Sequence, residues 1–160
     1  MDKKKYYHEL SDSLSALIAG EYDLIASLAN SSALLFERLS GINWVGFYLS
    51  DGNELILGPF QGKVACVRIA FDKGVCGTAF SQERVQRVED VHAFPGHIAC
   101  DAASNSEIVF PLNVNGKVIG VLDIDSPNIG QFDQEDEKGL QYLTDQLCQH
   151  LAMCSIPKYY

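Results

Sequence analysis

No apolar stretch in these 160 residues approaches the ~18 consecutive residues of a membrane span. The N-terminus, Met1-Asp2-Lys3-Lys4-Lys5-Tyr6, has the charge of a signal peptide's first region without an apolar segment behind it, so a cytoplasmic location is expected. Positive charge is scarce: 12 Lys and Arg stand against 21 Asp and Glu, a net charge of −9. Phosphate backbones and anionic bilayers are gripped through lysine and arginine, so neither nucleic acid nor a membrane is an expected partner. There is no C-x-x-C pair, and the gaps Cys66 to Cys76 and Cys76 to Cys100 match no common zinc spacing. His97 is the only histidine close in sequence to one of these three thiols, and no metal is expected. Repeats, low-complexity tracts and linker-like runs are missing too, so a single domain over 1–160 is the simplest account.

What is present is an ordinary globular composition, long enough to bury roughly two thirds of the unfolded surface. Apolar residues recur at helical spacing over 21–39, with Gly41 as a stop, and a shorter helix over about 6–18 precedes them. The pattern then turns to β: Ile42 to Leu49, a turn at Asp51-Gly52, Glu54 to Leu57, and Val64 to Ile69. Gly74 to Phe80 reads as a glycine-flanked entry into a short helix, and Val85 to Val88 as a strand. A second hairpin, Ile108 to Leu112 and Lys117 to Ile124, turns near Asn115-Gly116. Asp133 is a good N-cap for a last helix whose buried stripe is Leu140, Leu143, Leu147 and Leu151. The expected fold is α+β: an antiparallel sheet of about six strands, terminal helices on one face and a loop-rich cover over the other.

Five cysteines are an odd number, and a reducing compartment disfavours a structural disulfide framework. Cys76 falls at a helix start, where backbone N–H groups lower a thiol pKa; its plainer reading is a small residue between glycines. Cys100 leads into a polar, small-residue segment suited to a tight loop, and Cys66 alternates with apolar residues as a core position would. Cys148 and Cys154 lie toward the C-terminal helix and read as packing residues. Asp123 and Asp125 share one face of a strand by period two, a costly pairing unless they hold a cation, share a proton or meet solvent. With a two-residue turn at Asn115-Gly116, Glu107 opposes Ile124 and faces away from Asp123; with a three-residue loop it opposes Asp123. Turn chemistry favours the first register and shared chemistry needs something closer to the second. Trp44, the only tryptophan, is either strand core or a flat wall for an apolar ligand group.

Taken together, the cysteine spacing, Gly74-Val75-Cys76-Gly77, the segment HIACDAASNSEIVFP from His97 to Pro111 and Gly120 to Ser126 resemble the free methionine-(R)-sulfoxide reductases, GAF-fold enzymes. The likeness runs from about Ile42 to Leu151, and departs at Phe80, where a small residue is more usual. It implies Cys100 as the catalytic thiol, Cys66 as the recycling thiol and Cys76 as a third redox-capable thiol. It further implies Trp44, Glu107, Asp123 and Asp125 as substrate-binding positions, with Glu107 also taking part in catalysis. Thioredoxin as reductant, a homodimer and no cofactor belong to the same expectation. Backbone amides around Ser104 to Ser106 are expected to hold the substrate carboxylate. The competing expectation is a non-catalytic GAF-type sensor of a small molecule or of redox state.

Overall fold

The computed structural model describes residues 2–97 and 103–156. Two helices open the chain, Lys3–Ile18 (α1) and Leu24–Arg38 (α2). Each starts at an aspartate: Asp2 accepts from the Lys4 amide and Asp23 from the Ala26 amide, which places the boundaries a few residues from the periodicity-based ones. Strands Trp44–Ser50 (β1), Glu54–Gly62 (β2) and Arg68–Ala70 (β3) follow, then helix Gly74–Gln82 (α3) and the short strand Gln86–Val88 (β4). A long hairpin, Ser106–Val114 (β5) and Lys117–Ser126 (β6), leads to helix Gln134–Leu151 (α4). The six strands form one antiparallel sheet in the order β3-β2-β1-β6-β5-β4. Among the described residues no helix is long and apolar enough to cross a membrane.

The alternation of side chains divides the sheet cleanly. Val45, Phe47 and Leu49 of β1, Ile108, Phe110 and Leu112 of β5, and Leu122 and Ile124 of β6 pack beneath α1, α2 and α4 in the larger core. Trp44, Tyr48, Val109 and Val121 point the other way, into a smaller core closed by Val75, Cys76 and Ala79 of α3. The cover on that face is thus one short helix and loops, as expected.

Two predicted elements need correction. The Val64–Ile69 strand shrinks to three residues, and Val64 and Val67 are 88 % and 59 % exposed. Apolar alternation there does not reflect full burial: Ala65 and Cys66 are half-buried against the edge of the smaller core rather than inside it. The β1–β2 turn is also longer than an Asp-Gly hairpin: Gly52 alone adopts positive φ, and the Asp51 carboxylate accepts from the Asn53 and Glu54 amides.

The β5–β6 register resolves the ambiguity over Glu107. The tight turn is real, with Val114 opposite Lys117 and both Asn115 and Gly116 at positive φ. The ladder then slips by one residue between Leu112 and Asn113, so that Leu112 pairs with Gly120 and Ile119 is left over as a bulge. Beyond it Glu107 opposes Asp125 rather than Ile124 or Asp123, and joins both aspartates on the smaller-core face. Gly120 has no room for a side chain here, since a Cβ would lie 2.2 Å from the Tyr48 carbonyl oxygen.

Packing of α1 on α4 rests on a similar omission. Gly139 sits inside α4, where glycine costs about 1 kcal/mol relative to alanine. A Cβ there would lie 2.2 Å from the Tyr7 ring, whose hydroxyl donates to Asp136 at 2.7 Å. Asp136 also closes the capping box with Asp133, and Lys3 bridges both carboxylates at 2.7 and 2.9 Å. Gly139→Ala should therefore destabilise despite its better helix propensity, by about 1–2 kcal/mol in urea unfolding, because it displaces the Tyr7 ring.

Candidate active site

Three strands present one side chain each to a single row. Glu107 of β5 opposes Asp125 of β6, which in turn opposes Trp44 of β1. The next row on that face is Val109, Asp123 and Gly46. Gly46 leaves the space beside Asp123 to Phe60, against whose Cβ a side chain at 46 would come within 2.3 Å. From above, α3 lowers Cys76 onto the acids, its Sγ 3.9 Å from Glu107 Oε2. The sulfur and the Glu107 and Asp123 carboxylates all lie within 4.8 Å of one another. Val75, Ile69, Tyr48, Lys73, His97 and Ser104 complete the wall of a cavity of about 50 Å³.

Burial decides the protonation of this cluster. Glu107 and Asp123 are pushed well above the usual carboxylate range, first by loss of solvent and then by the repulsion of the neighbouring acids. Asp123 Oδ1 has no hydrogen-bond partner among the described residues. Cys76 is likewise pushed well above the ordinary thiol value, by burial first and by Asp123, Glu107 and Asp125 after it. The expected activation of Cys76 at a helix start is therefore reversed: the N-terminus of α3 is outweighed by desolvation among acids. These shifts favour the protonated forms, which suits the cluster to donate to an oxygen or to exchange a proton for a cation.

Trp44 is more enclosed than a half-buried wall, at 3 % exposure, stacked on Phe60 at 5.2 Å and on Tyr48 at 6.0 Å. Its indole N–H donates to the Lys63 carbonyl at 3.1 Å, while the Tyr48 hydroxyl donates to the Cys66 carbonyl at 2.9 Å. Two aromatic residues on one face of β1 thereby tie down the 63–67 loop at both ends. Cys66 is disulfide-bonded. Cys100 lies outside the described residues, so the catalytic thiol expected from the sequence is not placed. Cys148 packs at the edge of the larger core and Cys154 on the α2–α4 side, with Ser27 at 3.9 Å; neither reaches the cavity. Phe80 stacks on Phe71 at 4.6 Å, a packing role.

The Asn105 amide donates to the Ser126 carbonyl at 2.7 Å, so it is committed to the sheet end and not to a carboxylate. Tyr48 and Lys73 are the wall residues that sequence reasoning missed. Tyr48 carried a usable signal, being four residues beyond Trp44 on the same strand face.

Two outcomes follow from this geometry. Tyr48→Phe removes the Cys66 tether without changing ring packing, and should speed amide exchange of the 63–67 segment while lowering stability by only about 1 kcal/mol. For the acids, raised folded pKa values mean that the unfolded chain ionises first as pH climbs past about 4. Stability is therefore lost between that point and the folded pKa values. Glu107→Gln removes one such group, and its urea midpoint should fall less than that of the wild type between pH 5 and pH 7.

A GAF domain family model matches residues 26–152. The free methionine-R-sulfoxide reductase of Escherichia coli K12 is 58 % identical over 160 residues, covering 100 % of this chain and 97 % of that protein. Among solved structures, the substrate complex of the free methionine-R-sulfoxide reductase from Neisseria meningitidis superposes with a TM-score of 0.90 at 45 % identity, covering 96 % of this chain and 92 % of that one. The substrate complex of Staphylococcus aureus fRMsr does so with a TM-score of 0.87 at 53 % identity, covering 91 % and 95 %. The chain belongs to the free methionine-R-sulfoxide reductase family of GAF-domain proteins.

Proposed function

We propose that this oxidoreductase reduces free L-methionine-(R)-sulfoxide to L-methionine. The observation that carries the reading is the buried meeting of Glu107, Asp123 and Asp125 on one sheet face beside a thiol, in a chain of this family. A free amino acid offers an ammonium group where a protein-bound residue has only an amide. Carboxylates buried around one point favour the former, since a lost charged contact costs about 2 kcal/mol or more.

In this reading the Cys100 thiol attacks the sulfoxide sulfur. Glu107, held protonated by its surroundings, donates to the sulfoxide oxygen as the S–O bond breaks. The oxygen, carrying the thiol proton and the one from Glu107, leaves as water, and Cys100 is bonded to the substrate sulfur as a sulfonium. A water then attacks the Cys100 sulfur, and the S–S bond breaks with its electron pair passing to the substrate sulfur. Methionine leaves as the thioether, and Cys100 is left as a sulfenic acid. The Cys66 thiol then condenses with it, releasing water and forming a disulfide, which a thioredoxin dithiol reduces by exchange. The disulfide-bonded condition of Cys66 supports a recycling role for it. Asp123 and Asp125 take the ammonium group, and Trp44 walls the methyl and thioether end. With the Asn105 amide engaged in the sheet, Lys73 on the cavity wall is the better partner for the substrate carboxylate. Cys76, among protonated acids, takes a secondary place to Cys100 in the redox cycle. A homodimer and a cytoplasmic location rest on the family likeness.

Thioredoxin-coupled turnover should consume NADPH with the R epimer of free methionine sulfoxide and not with the S epimer, and Cys100→Ser should abolish it. A Cys100→Ser variant that still releases one methionine per subunit would move the attack to Cys76. No turnover of either epimer would leave a sensory GAF domain as the better account.

A further inference from the structure

We propose that the cluster of Cys76, Glu107 and Asp123 is a binding site for a thiophilic divalent cation such as Zn²⁺, and that an ion held there blocks the pocket. A tetrahedral zinc centre takes Zn–S near 2.3 Å and Zn–O near 2.0–2.2 Å, which sets sulfur and oxygen ligands roughly 3.5 Å apart. Cys76 Sγ and Glu107 Oε2 are 3.9 Å apart, and with Asp123 the three ligand atoms span no more than 4.8 Å, so small side-chain adjustments close the set.

A thiol near acids is not by itself a site, but Asp123 supplies an independent sign of a missing ligand. It is 5 % exposed and lines the cavity, and its Oδ1 finds no hydrogen-bond partner among the described residues. A buried carboxylate oxygen left this way asks for a cation or a donor from outside. The cavity has room for a metal ion with its remaining water. One thiolate with two carboxylates selects Zn²⁺, Cd²⁺ or Co²⁺ over Mg²⁺ and Ca²⁺, which prefer all-oxygen shells. No sequence spacing could announce this set, because its members come from α3, β5 and β6.

Binding of the ion stands on this geometry alone. Its consequence, competition with substrate, rests on the reading that the acids grip the ammonium group of free methionine sulfoxide. Both are tested on the full chain in its disulfide-bonded state, where Cys66 offers no thiol. Calorimetric titration with ZnCl₂ should give one site per chain, with Mg²⁺ giving no heat. Cys76→Ser and Glu107→Gln should each weaken it by more than about a hundredfold, beyond what loss of an outer-shell partner costs. Cys154→Ser, which alters the thiol beside Ser27 and His150, should not. Co²⁺ should show a thiolate charge-transfer band that is present in the wild type and absent in Cys76→Ser.

A band that persists in Cys76→Ser, or Zn²⁺ affinity unchanged in both pocket variants, would overturn the site. Unlabelled free methionine-(R)-sulfoxide should raise the apparent dissociation constant of Zn²⁺. If Zn²⁺ binds through Cys76 but the sulfoxide has no effect on it, the site stands and the substrate placement falls. If the sulfoxide is turned over and Zn²⁺ does not bind, the reverse holds.

Discussion

Beyond the bulge at Ile119, β5 and β6 meet in a register that puts Glu107 beside Asp125. Without that extra residue the same tight Asn115-Gly116 turn would have sent Glu107 into the larger core, opposite Ile124. A carboxylate there would have met Phe47, Phe110 and Leu122, with no charged partner. One inserted residue thus does two things at once: it keeps a charge out of the helix-covered core and collects three acids on the opposite face. The neighbouring glycines make the arrangement fit. Gly120 lets β6 pass the Tyr48 carbonyl, and Gly46 yields its side-chain space to Phe60, whose ring then backs Trp44.

Collecting acids in this way costs stability, and the chain lessens the cost by keeping protons rather than by supplying a permanent counter-ion. Glu107 and Asp123 both lean toward their neutral forms because each is buried and each faces another acid. The same surroundings make Cys76 a poor thiolate. A pocket that was organised around Cys76 as nucleophile would place a cation beside it, as activated thiols require. Here the thiol instead faces carboxyl groups, which suits the proton delivery and ammonium recognition proposed for the cluster. In the proposed mechanism the attacking sulfur is instead that of Cys100.

The elements of the fold were legible in the sequence, because periodicity, caps and turns are local. Asp133 capped α4 and Asn115-Gly116 made the predicted tight turn, while the first two helices were found by periodicity without their aspartate caps. The pairing of Asp123 and Asp125 on one face followed from strand geometry alone. What was not legible depended on distant partners. The bulge leaves no local mark, since Ile119 is an unremarkable strand residue whose neighbours are Val118 and Gly120. The 64–67 segment alternates like a strand, yet only Ala65 and Cys66 pack against the smaller core. The segment is tied down by hydrogen bonds from Trp44, Tyr48 and the Leu57 amide to the carbonyls of Lys63, Cys66 and Val67. Local sequence likewise assigned Cys76 the field of its helix but could not see three acids arriving from β5 and β6.

The GAF fold serves sensors and enzymes alike, so the fold cannot decide between them. The wiring of this cavity argues for catalysis. A sensor needs a pocket that recognises and a route that transmits, whereas acids with raised pKa values beside a thiol supply what breaking a bond to oxygen requires. The tethers point the same way. Trp44 and Tyr48 reach from the rigid centre of the sheet to the Lys63 and Cys66 carbonyls, so the same strand that walls the pocket also holds the backbone of a disulfide-bonded cysteine. In the proposed function, substrate recognition and thiol placement are thus mechanically joined through β1. Such a join is of little use to a ligand reporter, but it is what an enzyme needs if an oxidised sulfur is to meet its partner before the pocket reopens.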